Sequence, residues 1–434
     1  MTDQEYSKLG SAFVNYLLPY RLHMGEIRAA FHFENYCRGL LSDEKRKTVE
    51  PLANRAGTTV RALQVFLKDG EWDHGAVRDD LQRRLANAFA AQPDPDELGT
   101  IGLIDETSSV KKGDKTPGVQ RQYLGCVGKV DNGIVTVHLG AVRGQLRALF
   151  DGELFLPKVW AEDRERCRQA GIPDDKKHEP KWKLAVWQYM RARQNGFVFD
   201  WMVFDAGYGS TPAFMRMLNL MQQRFVGEIP VNFWASRSQS SPKQKVSKLL
   251  LTTSRRGWKR LRVDHDSGAI SQWSYRSMVV FAAGRRQRLV VAVKLKTNEV
   301  KYFLSNAVNE SAKTVLRVGL RRGPVEHLFR LAKQEVGLMH FEGQSYRGLM
   351  RHLILAMVTL GFVSLHTAKL QKKNPRLTME QVAQALNARS SEWLRRQRGT
   401  TPSEYILNVI CYHQRRNAIA IQSRRRRALI ELRL

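Results

Sequence analysis

Cysteine is scarce in this chain. Only Cys37, Cys126, Cys167 and Cys411 occur among 434 residues, with no CxxC and no Cys/His pair at zinc-ligand spacing. A disulfide scaffold and a structural zinc site are therefore excluded, and a reduced, cytoplasmic setting is expected. Long hydrophobic runs are missing as well. The longest, 353–365, has 13 residues, short of the roughly 20 needed to cross a bilayer; it reads as a buried helix, and no membrane partner is expected. The opening MTDQEYSKLG has no basic segment leading into an apolar one, so no secretory leader is expected. Acids are the last shortage. Against 71 Lys and Arg stand 41 Asp and Glu, a formal charge of +30 that would repel itself in a compact fold unless a polyanion were bound. Nucleic acid is the first partner to expect.

What is present is an ordinary globular composition, 43% hydrophobic, in a length that suits roughly two to four domains. Residues 1–97 carry helical periodicity and no strand-like run, and are expected to form a DNA-binding or dimerisation region. Within them Thr48 to Leu67 has helix-turn-helix spacing: Ala53 inside the first helix, Gly57 at the turn, Thr58 or Thr59 as the cap of the second, Val60 and Leu63 packing it. A helical hairpin that only packs fits the same residues. Pro93 and Pro95 then break the pattern.

From Thr100 the period changes to two. Ile101, Leu103 and Asp105 share one strand face, so an acid ends an apolar stripe. Lys111, Lys112 and Lys115 form a basic loop among Gly113, Pro117 and Gly118; Tyr123–Val130 reads as a second strand, Asn132-Gly133 as a hairpin turn and Ile134–Leu139 as a third strand, with Leu154–Trp160 closing the meander. Trp182–Asn195 is an amphipathic helix stopped by Gly196. Val198–Phe204 is almost continuously apolar, as an interior strand must be, and Asp205 follows it at a Gly-rich turn. Ligands of open α/β sheets gather at such carboxyl ends. Thr211-Pro212 begins a helix to about Arg224, and Phe225–Asn232 is the next strand, giving the order βββαβαβ.

Residues 98–232 thus read as the first part of an α/β core of RNase H-like type, which then needs a helix bearing a third acid. Residues 233–318 delay it with a basic, β-patterned insertion: Trp258–Asp264, Ile270–Phe281, Leu289–Leu295 and Val300–Ser305, with turns at His265–Gly268 and Ala283–Arg285. Trp234, Trp258 and Trp273 in it are either its own core or platforms for an extruded base. Residues 319–371 complete the core. There Gly323–Val336 is a helix whose apolar stripe is Val325, Leu328, Phe329, Ala332 and Val336, with Glu326, Arg330 and Lys333 on the adjacent stripe. A carboxylate in the first turn is favoured by the helix dipole and suits a divalent cation. A solvated charged face gives the same pattern. In residues 372–434, Leu377–Asn387 and Pro402–Cys411 are helical, and Arg395, Arg396, Arg398, Arg415, Arg416 and the run Arg424, Arg425, Arg426, Arg427 read as a phosphate-binding arm.

Asp105, Asp205 and Glu326 would converge in such a fold although 100 and 121 residues separate them. Three carboxylates can hold two divalent cations, and Mg²⁺ suits oxygen ligands and a phosphate substrate. Around these acids the chain resembles the DDE transposases of bacterial insertion sequences, most closely the insertion-sequence 701 family. The resemblance covers roughly residues 20–370 and rests on IDETSSVKKGDKTPGVQRQYLGCVGKVDNG, LFLPKVW, FDAGYG and VEHLFRLAKQEVGLMHFEGQSYRGLMRH. In the wider cut-and-paste group the third acid lies in a Tyr, Arg, Glu, Lys signature; Arg322, Glu326 and Lys333 fill its last three places, and Gly319 stands where the Tyr belongs.

The resemblance implies binding of terminal inverted repeats in double-stranded DNA, cleavage with Mg²⁺ (two ions, Mn²⁺ as a substitute), often through a hairpin intermediate, and joining of 3′-hydroxyls to target DNA. It implies Asp105, Asp205 and Glu326 as metal ligands and Arg322 and Lys333 as phosphate clamps, with Arg330, Lys111, Lys112, Arg424 and Arg425 as further DNA contacts. A homodimer on DNA in a bacterial, nucleoid-associated cytoplasmic setting follows. Two alternatives stand beside it: a transposase-derived DNA-binding regulator, and an RNase H-like nuclease that never joins ends.

The charge makes a prediction of its own. If about ten phosphates are contacted, the log-log slope of DNA affinity against salt should be about −9. Removing 412–434 should shallow it without changing which DNA ends are chosen, because phosphate contacts position rather than specify. A salt titration giving a slope near zero would remove nucleic acid as the partner.

Overall fold

The computed structural model describes residues 2–251, 257–264 and 270–397, with isolated positions between 401 and 422. Five α-helices open the chain: α1 (Asp3–Leu17), α2 (Ile27–Leu40), α3 (Val49–Ala56), α4 (Val60–Lys68) and α5 (His74–Ala90). Gly57 ends α3 in the left-handed conformation, φ 66°, and the Thr59 hydroxyl caps α4 by accepting from the Ala62 N–H. Leu63, Phe66 and Leu67 of α4 are buried, while Arg61, Gln64, Val65 and Lys68 are exposed along its other side. The helix-turn-helix spacing thus corresponds to two short helices with an outward polar stripe.

Four strands follow: β1 (Ile101–Val110), β2 (Gln120–Leu124), β3 (Lys129–Arg143) and β4 (Leu146–Leu154). Then come α6 (Lys158–Glu162), α7 (Arg164–Gln169), α8 (Lys181–Gln194), β5 (Trp201–Phe204), α9 (Ala206–Gly209), α10 (Pro212–Leu220), β6 (Phe225–Ile229), the short β7 (Trp234–Ala235) and β8 (Gln244–Lys245), and α11 (Val246–Leu251). The remaining elements are β9 (Lys259–Asp264), β10 (Ile270–Ala282), β11 (Arg285–Lys294), β12 (Val300–Ser305), α12 (Ala312–Leu320), α13 (Gly323–Gln334), α14 (Tyr346–Gln371) and α15 (Met379–Gln397).

One mixed sheet of ten strands organises the molecule, in the order β2-β3-β1-β5-β6-β12-β11-β10-β9, with β4 also paired to β3. β1 runs antiparallel to β3 and parallel to β5, and β5 runs parallel to β6. β5 is buried at every residue, which is why its sequence is apolar without alternation. β12 pairs antiparallel with β6, so the β-rich stretch between 233 and 318 extends the same sheet.

Several local expectations are corrected. The turn between β2 and β3 falls at Gly125–Gly128, where Gly128 N–H donates to Leu124 O; Asn132-Gly133 lies inside β3. The Asn132 amide instead donates to the carbonyls of Lys111 and Gly113, 2.8 Å each, so a strong turn pair serves to fasten the loop after β1. The strand closing the meander is Leu146–Leu154, and 158–160, placed with it by pattern, opens the helix Lys158–Glu162. The interior strand begins at Trp201, since Val198 is 72% exposed. α12 was not foreseen, and the 265–268 turn lies outside the described residues.

The apolar run 353–365 is the middle of α14, 26 residues long. By length and composition α14 could cross a membrane, but 72% of its most apolar window is buried within the fold, against β4, α2, α4 and α5.

A close approach fixes α9. A Cβ on Gly209 would lie 1.8 Å from the Glu228 carbonyl oxygen at the end of β6, so α9 can seat there only with glycine. Gly209→Ala should therefore cost about 1–3 kcal/mol in urea unfolding, while Gly10→Ala in α1, whose nearest neighbour would be the Arg389 side chain at 3.7 Å, should be neutral or slightly stabilising. Equal effects would contradict this packing.

Candidate active site

Register places the first two acids. β1 and β5 pair in parallel with Ile104 beside Phe204, so the next residues, Asp105 midway along β1 and Asp205 just past the carboxyl end of β5, stand together where that pairing ends. Asp105 is 9% exposed. Its Oδ1 accepts from the Glu106 N–H at 2.8 Å and its Oδ2 from Arg322 Nη2 at 2.9 Å. Burial raises its pKa, Arg322 opposes the rise and Asp205 adds to it. Asp205 caps α9, its Oδ1 accepting from the Tyr208 N–H at 3.1 Å, so the Gly-rich turn expected here is one turn of helix. Glu326 lies in the first turn of α13 with its side chain 71% exposed. Leu328, Phe329 and Ala332, buried, press that helix onto the core.

The three carboxylates line one cavity of about 800 Å³, together with Lys181, Arg330 and Lys333. Arg322 stands among the acids. Its guanidinium is 2.9 Å from Asp105, 3.9 Å from Asp205 and 3.6 Å from Glu326. Burial works against its charge, but Asp105 and Asp205 outweigh it and raise the pKa. At the junction of α12 and α13 its side chain turns inward, because three acids attract it.

The donor set fits a hard divalent cation. All three groups offer carboxylate oxygens, and one cationic side chain already approaches all of them. As the side chains stand, no three His, Cys, Asp or Glu among the described residues are close enough to share one ion, so Arg322 and the exposed Glu326 must move for a metal to be held by all three acids.

The other expected contacts separate. Lys333 is half-buried on the cavity wall; burial lowers its pKa, and Cys126 and Asp105 oppose that. Arg330 is 57% exposed and 3.1 Å from Glu380 of α15, which His327 also meets at 2.6 Å. Lys112 is exposed. Lys111 is turned inward and partly buried, donating to Phe341 O at 2.5 Å, and burial brings its pKa down to about 8. Trp273 is buried with its Nε1–H donating to Ser271 Oγ, Trp258 packs partly buried against the core, and Trp234 is 57% exposed on β7. Arg424 and Arg425 lie outside the described residues.

Gly319, where the signature has Tyr, sits in α12 with room for no side chain: a Cβ would be 2.9 Å from the Phe303 ring and 3.1 Å from Val226. Three neighbours were missed. Lys181, first residue of α8, pairs with Glu106 beside Asp105. Tyr123 is 64% exposed on the cavity rim. The buried Tyr208 hydroxyl finds no hydrogen-bond partner among the described residues, and Glu106, Asp205 and Asp105 add to burial in raising its pKa. Glu106 and Tyr208 adjoin the two acids within their motifs, the one signal that could have found them.

Residues 23–277 match the family model described as DDE superfamily endonuclease. The chain belongs to that family. The matched span takes in Asp105 and Asp205, and Glu326 lies beyond it. The endonuclease-family chain is also 29% identical over 232 residues to a protein from Microchaete diplosiphon named as a probable transposase for insertion sequence element IS701. That alignment covers 53% of this chain and 56% of the relative, little more than half of each.

Lys111 and Lys112 give a direct test of placement. Lys111→Ala leaves backbone carbonyls without their donor and should cost about 1–3 kcal/mol of stability with DNA affinity little changed; Lys112→Ala should do the reverse, shallowing the salt slope by about 1. Chemical unfolding and DNA titrations at two salt concentrations check both, and a reversed pattern would reject the inward placement.

Proposed function

We propose that this DDE-family chain is a transposase that cuts and rejoins DNA. The observation that carries the reading is the meeting of Asp105 and Asp205, where the pairing of two adjacent parallel strands ends, with Glu326 over one cavity. The order β4-β3-β1-β5-β6, with β3 reversed, is the arrangement expected of an RNase H-like core, and β9 to β12 with their connections form the insertion before the third acid. On this reading 1–97 is the DNA-binding or dimerisation region, 98–232 and 319–371 the core, 233–318 the insertion and 372–434 the basic end.

Asp105, Asp205 and Glu326 would hold two Mg²⁺, with Mn²⁺ as a substitute. When bound, the ions supply Lewis-acid activation of the attacking oxygen and charge stabilisation of the leaving one at phosphorus. The chain's own residues do the rest. Lys333 and the exposed Lys112 hold phosphates as point charges, and Arg322, once off the carboxylates, can do so with a bidentate fork. Arg61, Gln64 and Lys68 on the outward side of α4 suit a major groove. Trp234 is the exposed tryptophan able to receive an unstacked base. The substrates are double-stranded transposon ends and target DNA, handled by a homodimer in the bacterial cytoplasm at the nucleoid without membrane attachment; the chain's charge of +30 supports the polyanion.

Asp105→Asn, Asp205→Asn and Glu326→Gln should each abolish Mg²⁺-dependent cleavage of a labelled repeat end and leave DNA binding intact or stronger, since a lost ligand charge weakens metal binding and reduces repulsion of phosphate. Cleavage surviving Glu326→Gln would strike that residue from the site, and cleavage without joining of a precut end would leave a nuclease.

A further inference from the structure

The backbone that carries Arg322 is fixed. Arg317 Nη2 donates to Asp96 Oδ1 at 3.0 Å and Arg321 pairs with the same carboxylate, which ties the end of α12 to the segment before β1. The next side chain, Arg322, is 21% exposed and within 4 Å of all three acids. Carboxylates around one cavity repel one another, and a guanidinium between them is the counter-charge that lets them stand together.

Two features fit a guanidinium that is not locked there. Its buried Nε finds no acceptor among the described residues. It makes no side-chain cap to α13, whose N-terminus it precedes.

We propose that Arg322 is a tethered counter-cation: it gathers Asp105, Asp205 and Glu326, and divalent cations compete with it for the same oxygens, so that loading moves the guanidinium from carboxylate to phosphate. This rests on the metal-dependent reading of the site and adds a regulation to it. The apparent metal affinity is lowered by the fraction of molecules in which Arg322 is engaged. DNA, whose phosphates draw the guanidinium away, tightens metal binding, and the reciprocal holds by linkage. Arg322 is thus a positioning residue that couples DNA arrival to metal loading.

The test is a Mn²⁺ titration of the full chain, read as free Mn²⁺ by electron paramagnetic resonance, with and without a DNA end made resistant to cleavage. Arg322→Gln should bind Mn²⁺ about tenfold more tightly than the native chain without DNA and gain little from DNA. Arg322→Lys, which keeps the charge, should stay near the native value, and Asp105→Asn should bind weakly whatever the residue at 322. Should Arg322→Gln unfold in EDTA from acid repulsion, Mn²⁺ should restore its melting transition; failure to restore it overturns the proposal. So does unchanged or weaker Mn²⁺ binding by Arg322→Gln while Asp105→Asn still abolishes binding, an outcome that leaves the metal-dependent reading standing. Absence of Mn²⁺ binding in native chain and variant alike overturns both.

Discussion

In-register parallel pairing sets Ile104 of β1 against Phe204 of β5, and an aspartate follows each of them, Asp105 within β1 and Asp205 just past the end of β5. Everything at the cavity depends on that pairing. A slip of one residue would send Asp105 to the opposite face of the sheet, because side chains alternate with a period of two. The register is held by burial on both sides: β5 is wholly inside, and β3 pairs with β1 along ten residue pairs, with the buried His138 directly opposite Asp105. On the other flank, α9 seats its glycine on the backbone of β6 and keeps the Asp205 cap in place.

The positions of Asp105 and Asp205 were legible because an apolar strand pattern interrupted by an acid is a local signal, and Glu326 because its helix carries a clear apolar stripe. The mixed α/β character followed from the change of period at Thr100. What the sequence could not show was where long side chains turn. Arg322 and Lys111 look like free cations in a basic chain, yet one is drawn to three acids and the other to two carbonyls. Asn132-Gly133 carries turn chemistry, but its tertiary partner is a loop twenty residues upstream rather than a hairpin of its own, and local propensity yields to such contacts. The continuity of the sheet through β12 was also out of reach, since pairing between distant strands leaves no mark on either strand's periodicity.

The net charge of +30 overstates the surface open to phosphate. Several cations are spent inside the fold. Arg191 bonds to the fully buried Asp151 and to Glu153, which also holds Lys176. Arg38 meets Glu34, and Arg55 meets Asp43 and Glu44. Removing one partner of such a buried pair leaves an uncompensated charge, so substitutions there report on folding, and the basic residues that inform on DNA are the exposed ones.

Arg351 of α14 reaches the carbonyls of Phe66, Leu67, Gly70 and Trp72 where α4 ends, and α14 itself lies along β4, which pairs with β3 beside β1. No linker intervenes between the outward stripe of α4 and Asp105. If α4 grips a duplex as proposed, this packing would work as a ruler, presenting the DNA backbone to the acids at one fixed distance and one helical phase. With about 10.5 base pairs to a turn, moving the gripped sequence by half a turn would carry the phosphate to the far side of the duplex, so on that reading the packing of one helix would set the length of DNA between recognised bases and cut site.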